Sequence, residues 1–132
     1  MFDISDVAPA DGITRVKSES ELGLYSYIQL AHVLEHVSFP LALVRKAASF
    51  LDDSGHLYVE VPQELSDDVR TRLASRDKNI RLTIHEHINQ YCLSSVTELL
   101  RSAGLKAIVV QSELVDLGWN KGMLVRGLAR KC

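Results

Sequence analysis

The apolar positions fall into a few runs separated by turn residues. From Tyr25 to Leu30 the chain is mostly apolar, interrupted by Ser26 and Gln29. Such a run predicts a strand buried on both faces of a parallel sheet. Val37-Ser38-Phe39-Pro40 then predicts a helix start. Ser38 can cap it, and Pro40 suits the first turn, where its missing N–H is not needed. Leu41, Val44, Ala48 and Leu51 recur at helical spacing and predict one buried stripe. Asp52-Asp53-Ser54-Gly55 is turn chemistry that should end this helix. His56 to Val61 alternates like a strand, and Pro62 should stop it.

On either side of this segment the signals are shorter. Val7 to Gly12 predicts a turn, Ile13 to Lys17 an edge strand, and Ser18 to Gly23 a polar loop. Leu65, Val69 and Leu73 stand at i, i+4 and i+8 in a charged stretch, which predicts a short surface helix. Ser94 and Ser95 are set to cap a helix from about Val96 to Ala103, with Glu98 completing a capping box and Gly104 stopping it. Lys106 to Gln111 and Gly122 to Ala129 predict two further strands. The order strand, helix, strand, surface helix, helix, strand, strand implies an α/β layer, mostly parallel, with a closing antiparallel strand.

A length of 132 residues fits a single domain able to bury its own core. A net charge of -2 without a basic block argues against a nucleic-acid partner. No apolar run reaches membrane-spanning length, so no membrane partner is expected. The two cysteines, Cys92 and Cys132, suggest neither a disulfide framework nor a metal knuckle. Free thiols and the lack of a signal-like start lead to an expected cytoplasmic location.

Three motifs are more specific: H-V-L-E-H at His32 to His36, H-E-H-I-N at His85 to Asn89, and L-L-R-S-A-G-L at Leu99 to Leu105. In this order, and separated by these elements, they resemble the class I methyltransferases that use S-adenosylmethionine. The opening F-D-I-S at Phe2 to Ser5 resembles the end of that family's second strand. The resemblance implies a Rossmann-like α/β sheet ending in a reversed hairpin. It also implies S-adenosylmethionine as cofactor and a small-molecule acceptor. It assigns Asp3 to the cofactor ribose and His32 to the cofactor side of the site. The family's glycine-rich strand-to-helix turn is not found in these residues, and Gly12 and Gly23 are isolated. The resemblance therefore covers the C-terminal part of the fold, and residues 1–132 are expected to form one truncated domain. Tight cofactor binding by one copy is not expected. The strand at Tyr25 to Leu30 would then be an unpaired edge. It should pair with a second copy in a homodimer, be covered by a rearranged N-terminal segment, or meet a partner that supplies the missing half.

Candidate chemistry gathers in His32, Glu35, His36, Glu60, His85, Glu86 and His87. Ligands of open α/β sheets bind at the carboxyl ends of strands, where these residues would converge. His87 or His85 can act as a general base, with Glu86 orienting it. The resemblance to sugar methyltransferases with a Y-H-E-H segment points to His87, although Ile84 replaces the tyrosine here. If His32 to His36 were helical, His32 and His36 could share a metal with His85 or His87. The methyltransferase resemblance already accounts for them, so no metal is assigned. The alternative to catalysis is a methyltransferase-derived binding or dimerisation module.

Overall fold

A computed structural model describes residues 10–14, 16, 18–75, 87–116 and 121–131. Four strands make one sheet: β1 (Tyr25–Ala31), β2 (Leu51–Pro62), β3 (Leu105–Asp116) and β4 (Lys121–Lys131). Their spatial order is β1-β2-β4-β3. β1 runs parallel to β2, with Leu30 opposite Val59 and Ala31 opposite Glu60. β4 is antiparallel to both its neighbours, with Glu60 opposite Arg126 on one side and Gln111 opposite Arg126 on the other. The parallel start and antiparallel C-terminal hairpin are the arrangement that the sequence implies.

Among the described residues three α-helices join the strands: α1 (Pro40–Ser49), α2 (Asp67–Ala74) and α3 (Leu93–Ser102). α1 packs on β2 and α3, and α3 packs on β3 and β4. Alternation along each strand sends Leu57, Val59, Val61, Val125 and Ala129 to the helix side, where they meet Val44, Ala47, Val96 and Leu100 in one buried cluster. Gly127 lies in the path of α3. A Cβ there would stand 3.1 Å from Leu100 Cδ1 and 3.4 Å from Val96 Cγ1, so the missing side chain lets the helix approach. The other face carries Tyr27, Tyr58, Glu60 and Arg126, and it is more open: Tyr27 is 51% exposed.

Several local expectations change. β1 is half-exposed rather than buried on both faces, because the described helices cover only one side of the sheet. Pro40 does open α1, but Phe39 occupies the cap position and no side chain bonds there, Ser38 included. The turn at Asp52 to Gly55 lies within β2, where the register with β1 jumps from Tyr25–Leu51 to Tyr27–His56. Gly55 makes this excursion possible, since a Cβ would come within 2.9 Å of Leu51 Cβ. α3 begins at Leu93, three residues before its expected start. Its first turn is closed by Ser95 Oγ, which accepts from Cys92 N at 3.0 Å, while Glu98 pairs with Arg101 instead. Gly104 ends α3 in the left-handed conformation as predicted, with φ of 81°. Of the segment Ile13 to Lys17, Val16 forms only an isolated bridge, and Arg15 and Lys17 lie outside the described residues. The stretch from Ser18 holds a short 3₁₀ turn, Glu19–Glu21.

Candidate functional site

The carboxyl ends of β1 and β2 point toward the same end of the sheet, and the polar cluster collects there. β1 stops at Ala31, and His32 adopts a left-handed backbone with φ of 53°. That conformation is uncommon for a residue with a side chain, and it marks a sharp exit from the strand. The chain then enters a single 3₁₀ turn, Leu34–His36. The H-V-L-E-H motif is therefore not an α-helix, and His32 and His36 do not share a helical face.

The 3₁₀ turn is held by the loop that carries the second motif. Ile88 and Asn89 donate backbone N–H groups to Glu35 O at 2.9 and 3.1 Å. Asn89 Nδ2 donates to Leu34 O at 3.0 Å and to Val37 O at 2.6 Å. Tyr91 Oη donates to the same Leu34 carbonyl at 3.1 Å. Burial, and then the nearby Glu35 carboxyl, push the Tyr91 phenol up to about 12. Its hydroxyl is thus a neutral donor across the physiological range.

Glu35 is the centre of the cluster. Its side chain is 1% exposed, and neither carboxyl oxygen has a hydrogen-bond partner among the described residues. A buried polar group left without a partner costs about 1–3 kcal/mol, more when charged. Glu35 Oε1 faces His32 Nδ1 at 3.4 Å and His36 Nε2 at 4.0 Å. The His36 and His87 rings meet edge to face, with centroids 4.8 Å apart. His87 Nδ1 lies 2.9 Å from Glu64 Oε1, just beyond the end of β2. That contact fixes the ring and leaves Nε2 as the nitrogen available to a ligand.

His32 also reaches across to β2, with Nε2 3.3 Å from Glu60 Oε1. The other Glu60 oxygen accepts from Tyr58 Oη and Arg126 Nε, each at 2.7 Å. Partial burial alone pushes the Glu60 carboxyl up. The Tyr58 hydroxyl, Arg126 and His32 outweigh it and hold the group below the ordinary glutamate range. Burial and the bond to Glu60 push Tyr58 up to about 12. Arg126 also pairs with Glu113 on β3. Beside His87 a shallow groove of about 340 Å³ opens between Pro40, Leu65, Ile88 and Ser95.

His32, Glu35, His36, Glu60 and His87 thus converge as the sequence suggested. Asp3, His85 and Glu86 lie outside the described residues, as do Trp119 and Cys132. Cys92 is buried and free. Sequence reasoning passed over Glu64, Asn89, Tyr91 and Arg126. Glu64 stands two residues after the strand-ending Pro62, which was a usable signal for a residue at the ligand end. Arg126 gave none, because its pairing with Glu60 depends on sheet register.

An α/β sheet with a polar cluster at its strand ends is a Rossmann-like arrangement. The sequence matches the methyltransferase-domain family over residues 1–111, and the chain belongs to that family. No curated protein matches the sequence. Among solved structures, the fold is similar to a S-adenosylmethionine-dependent methyltransferase from Thermotoga maritima, described as a possible histamine N-methyltransferase. The TM-score is 0.62 at 17% identity, covering 92% of this chain and 65% of that one. It is also similar to the 1,6-didemethyltoxoflavin-N1-methyltransferase of Burkholderia thailandensis, solved with 1,6-didemethyltoxoflavin and S-adenosylhomocysteine. Here the TM-score is 0.55 at 18% identity, covering 80% and 43%. The magnesium protoporphyrin IX methyltransferase of Synechocystis, with bound S-adenosylhomocysteine, gives a TM-score of 0.51 at 16% identity, covering 90% and 51%. The chain therefore spans less than two thirds of the length of each. Among the described residues no helix is long and apolar enough to cross a membrane.

Proposed function

We propose that this domain forms the acceptor side of a methyltransferase that uses S-adenosylmethionine and acts on a small molecule. The observation that carries the reading is the placement of His87. It stands between the buried cluster and the open groove, at the ligand end of a sheet that belongs to this family. A groove of this size suits a small acceptor. Glu64 holds the imidazole in one orientation, so His87 can take the acceptor's proton while the methyl group moves. The family resemblance assigns His32, at the end of β1, to the cofactor side. The bound S-adenosylhomocysteine in two of the similar structures supports the cofactor assignment.

A second reading is a binding or dimerisation module without catalysis. Tyr25 and Tyr27 on β1 are exposed, as is Leu24 just before it, and the only partner of β1 among the described strands is β2. Such an edge can take a further strand, from a second copy or from a partner chain. In this reading it is the principal surface, and in the first it completes the cofactor site.

Calorimetric titration with S-adenosylhomocysteine, at an oligomeric state fixed by sedimentation, separates the two. Saturable micromolar binding supports methyl transfer, and replacing His87 by Gln should then leave binding intact. No heat at millimolar ligand, with a stable dimer in the cell, removes the first reading and leaves the second.

A further inference from the structure

One buried group among the described residues has no part in methyl transfer by a histidine base. The Glu35 carboxyl is 1% exposed, lacks hydrogen-bond partners among the described residues, and points at the imidazoles of His32 and His36. One ligand atom from each of Glu35, His36 and His87 lies within 4.8 Å of the other two. We propose that these three side chains form a binding site for a divalent transition-metal ion.

Two imidazole nitrogens and one carboxyl oxygen are the donor set of borderline ions from manganese to zinc. They are not the all-oxygen set that magnesium and calcium require. In a loaded tetrahedral site with bonds near 2.1 Å, ligand atoms stand about 3.4 Å apart. The trio is somewhat wider than that, and His36 is exposed enough to turn inward. The other two ligands are already fixed. Backbone bonds from Ile88 and Asn89 to Glu35 O pin the carboxylate's turn to the loop that carries His87. Glu64 on His87 Nδ1 supplies the carboxylate–imidazole pairing that orients metal-bound histidines and strengthens them as donors. Three protein ligands leave a coordination position open, and His87 also lines the groove.

A cation there also satisfies the buried carboxyl. An acceptor hydroxyl on the open position would lose its proton to water more readily. The resulting oxygen anion takes the methyl carbon as the sulfonium carbon–sulfur bond breaks, leaving the neutral thioether. His87 then serves as ligand instead of base. The site itself does not rest on the methyl-transfer reading, since it is built from three side chains alone.

The test is titration of the full chain with Co²⁺, read by visible absorption and competed with Zn²⁺. One saturable equivalent is expected. Glu35→Gln and His36→Asn should each weaken it by at least about tenfold, and Glu64→Gln by roughly 10–100-fold through His87. His56→Asn, a histidine on β2 away from the cluster, should leave it unchanged. Glu35→Gln should also keep or raise the thermal midpoint, because it removes an unpartnered carboxyl; a residue that merely braces the fold would lower it. Absence of saturable binding by the unaltered chain would overturn the site. So would unchanged binding in Glu35→Gln or Glu64→Gln, and the second variant decides the matter if the first does not fold. Co²⁺ binding without S-adenosylhomocysteine binding would leave the metal site standing and remove the methyl-transfer reading; the reverse result would do the opposite.

Discussion

The Leu34 carbonyl accepts from both Asn89 Nδ2 and Tyr91 Oη, which makes the joint between the two motifs measurable. Leu34 is fully buried, so water cannot replace a lost donor. Tyr91→Phe removes one bond but leaves the carbonyl paired with Asn89. The expected loss is about 1 kcal/mol, the net worth of an ordinary hydrogen bond. Asn89→Ala removes bonds to Leu34 and Val37 but leaves Leu34 paired with Tyr91, for an expected loss of about 2 kcal/mol. The double variant strips both donors and strands a buried carbonyl. Its loss should therefore exceed the sum of the single losses by about 1–2 kcal/mol. Urea unfolding of the four proteins measures this coupling, and thermal unfolding should follow at about 3–5 °C per kcal/mol. Additive losses would mean that the two side chains do not share the carbonyl, and that the loop is held to the 3₁₀ turn in some other way.

Two further predictions concern the sheet. Gly127→Val should cost about 1–3 kcal/mol by pushing Leu100 and Val96 of α3 outward, whereas Gly122→Ala, with open space around it, should change urea stability by less than about 0.5 kcal/mol. Glu60 is held below the ordinary glutamate range in the folded chain, so its contribution is present above the unfolded value of about 4.3 and is lost as pH falls through the lower folded value. Urea midpoints at pH 6 and pH 3 should therefore differ less in Glu60→Gln than in the unaltered chain, and an unchanged difference would remove Glu60 from the acid response.

Which elements were legible depended on whether their signals were local. The hydrophobic run of β1, the alternation of β2, Pro40 at the start of α1 and Gly104 after α3 each act within a few residues. The start of α3 misled because two capping frames overlap in C-L-S-S-V-T-E. The serine–glutamate frame is the commoner box, but Ser95 bonds back to Cys92 and Glu98 finds Arg101. β1 misled because apolar density reports what a strand could bury, and its outer face meets no described helix. In the site, the histidine and glutamate motifs stood out by composition. The partners that orient them did not: Asn89 meets Leu34 across 55 residues of sequence, and Glu60 meets Arg126 across 66. Such pairs follow from topology and register, which no short window contains.

The place of β4 governs the order in which this domain can be completed. It follows β3 in the sequence, yet it lies between β2 and β3 and is the only described strand that links them. A chain emerging from the ribosome presents β1, β2 and β3 first, and β2 and β3 then each lack the strand that joins them. Until residues 121–131 are available, the helix side of the sheet cannot close over α3. Until then the nascent chain carries exposed apolar strands, a state in which aggregation competes with folding. Synthesis thus delivers β4 after both of the strands that it joins.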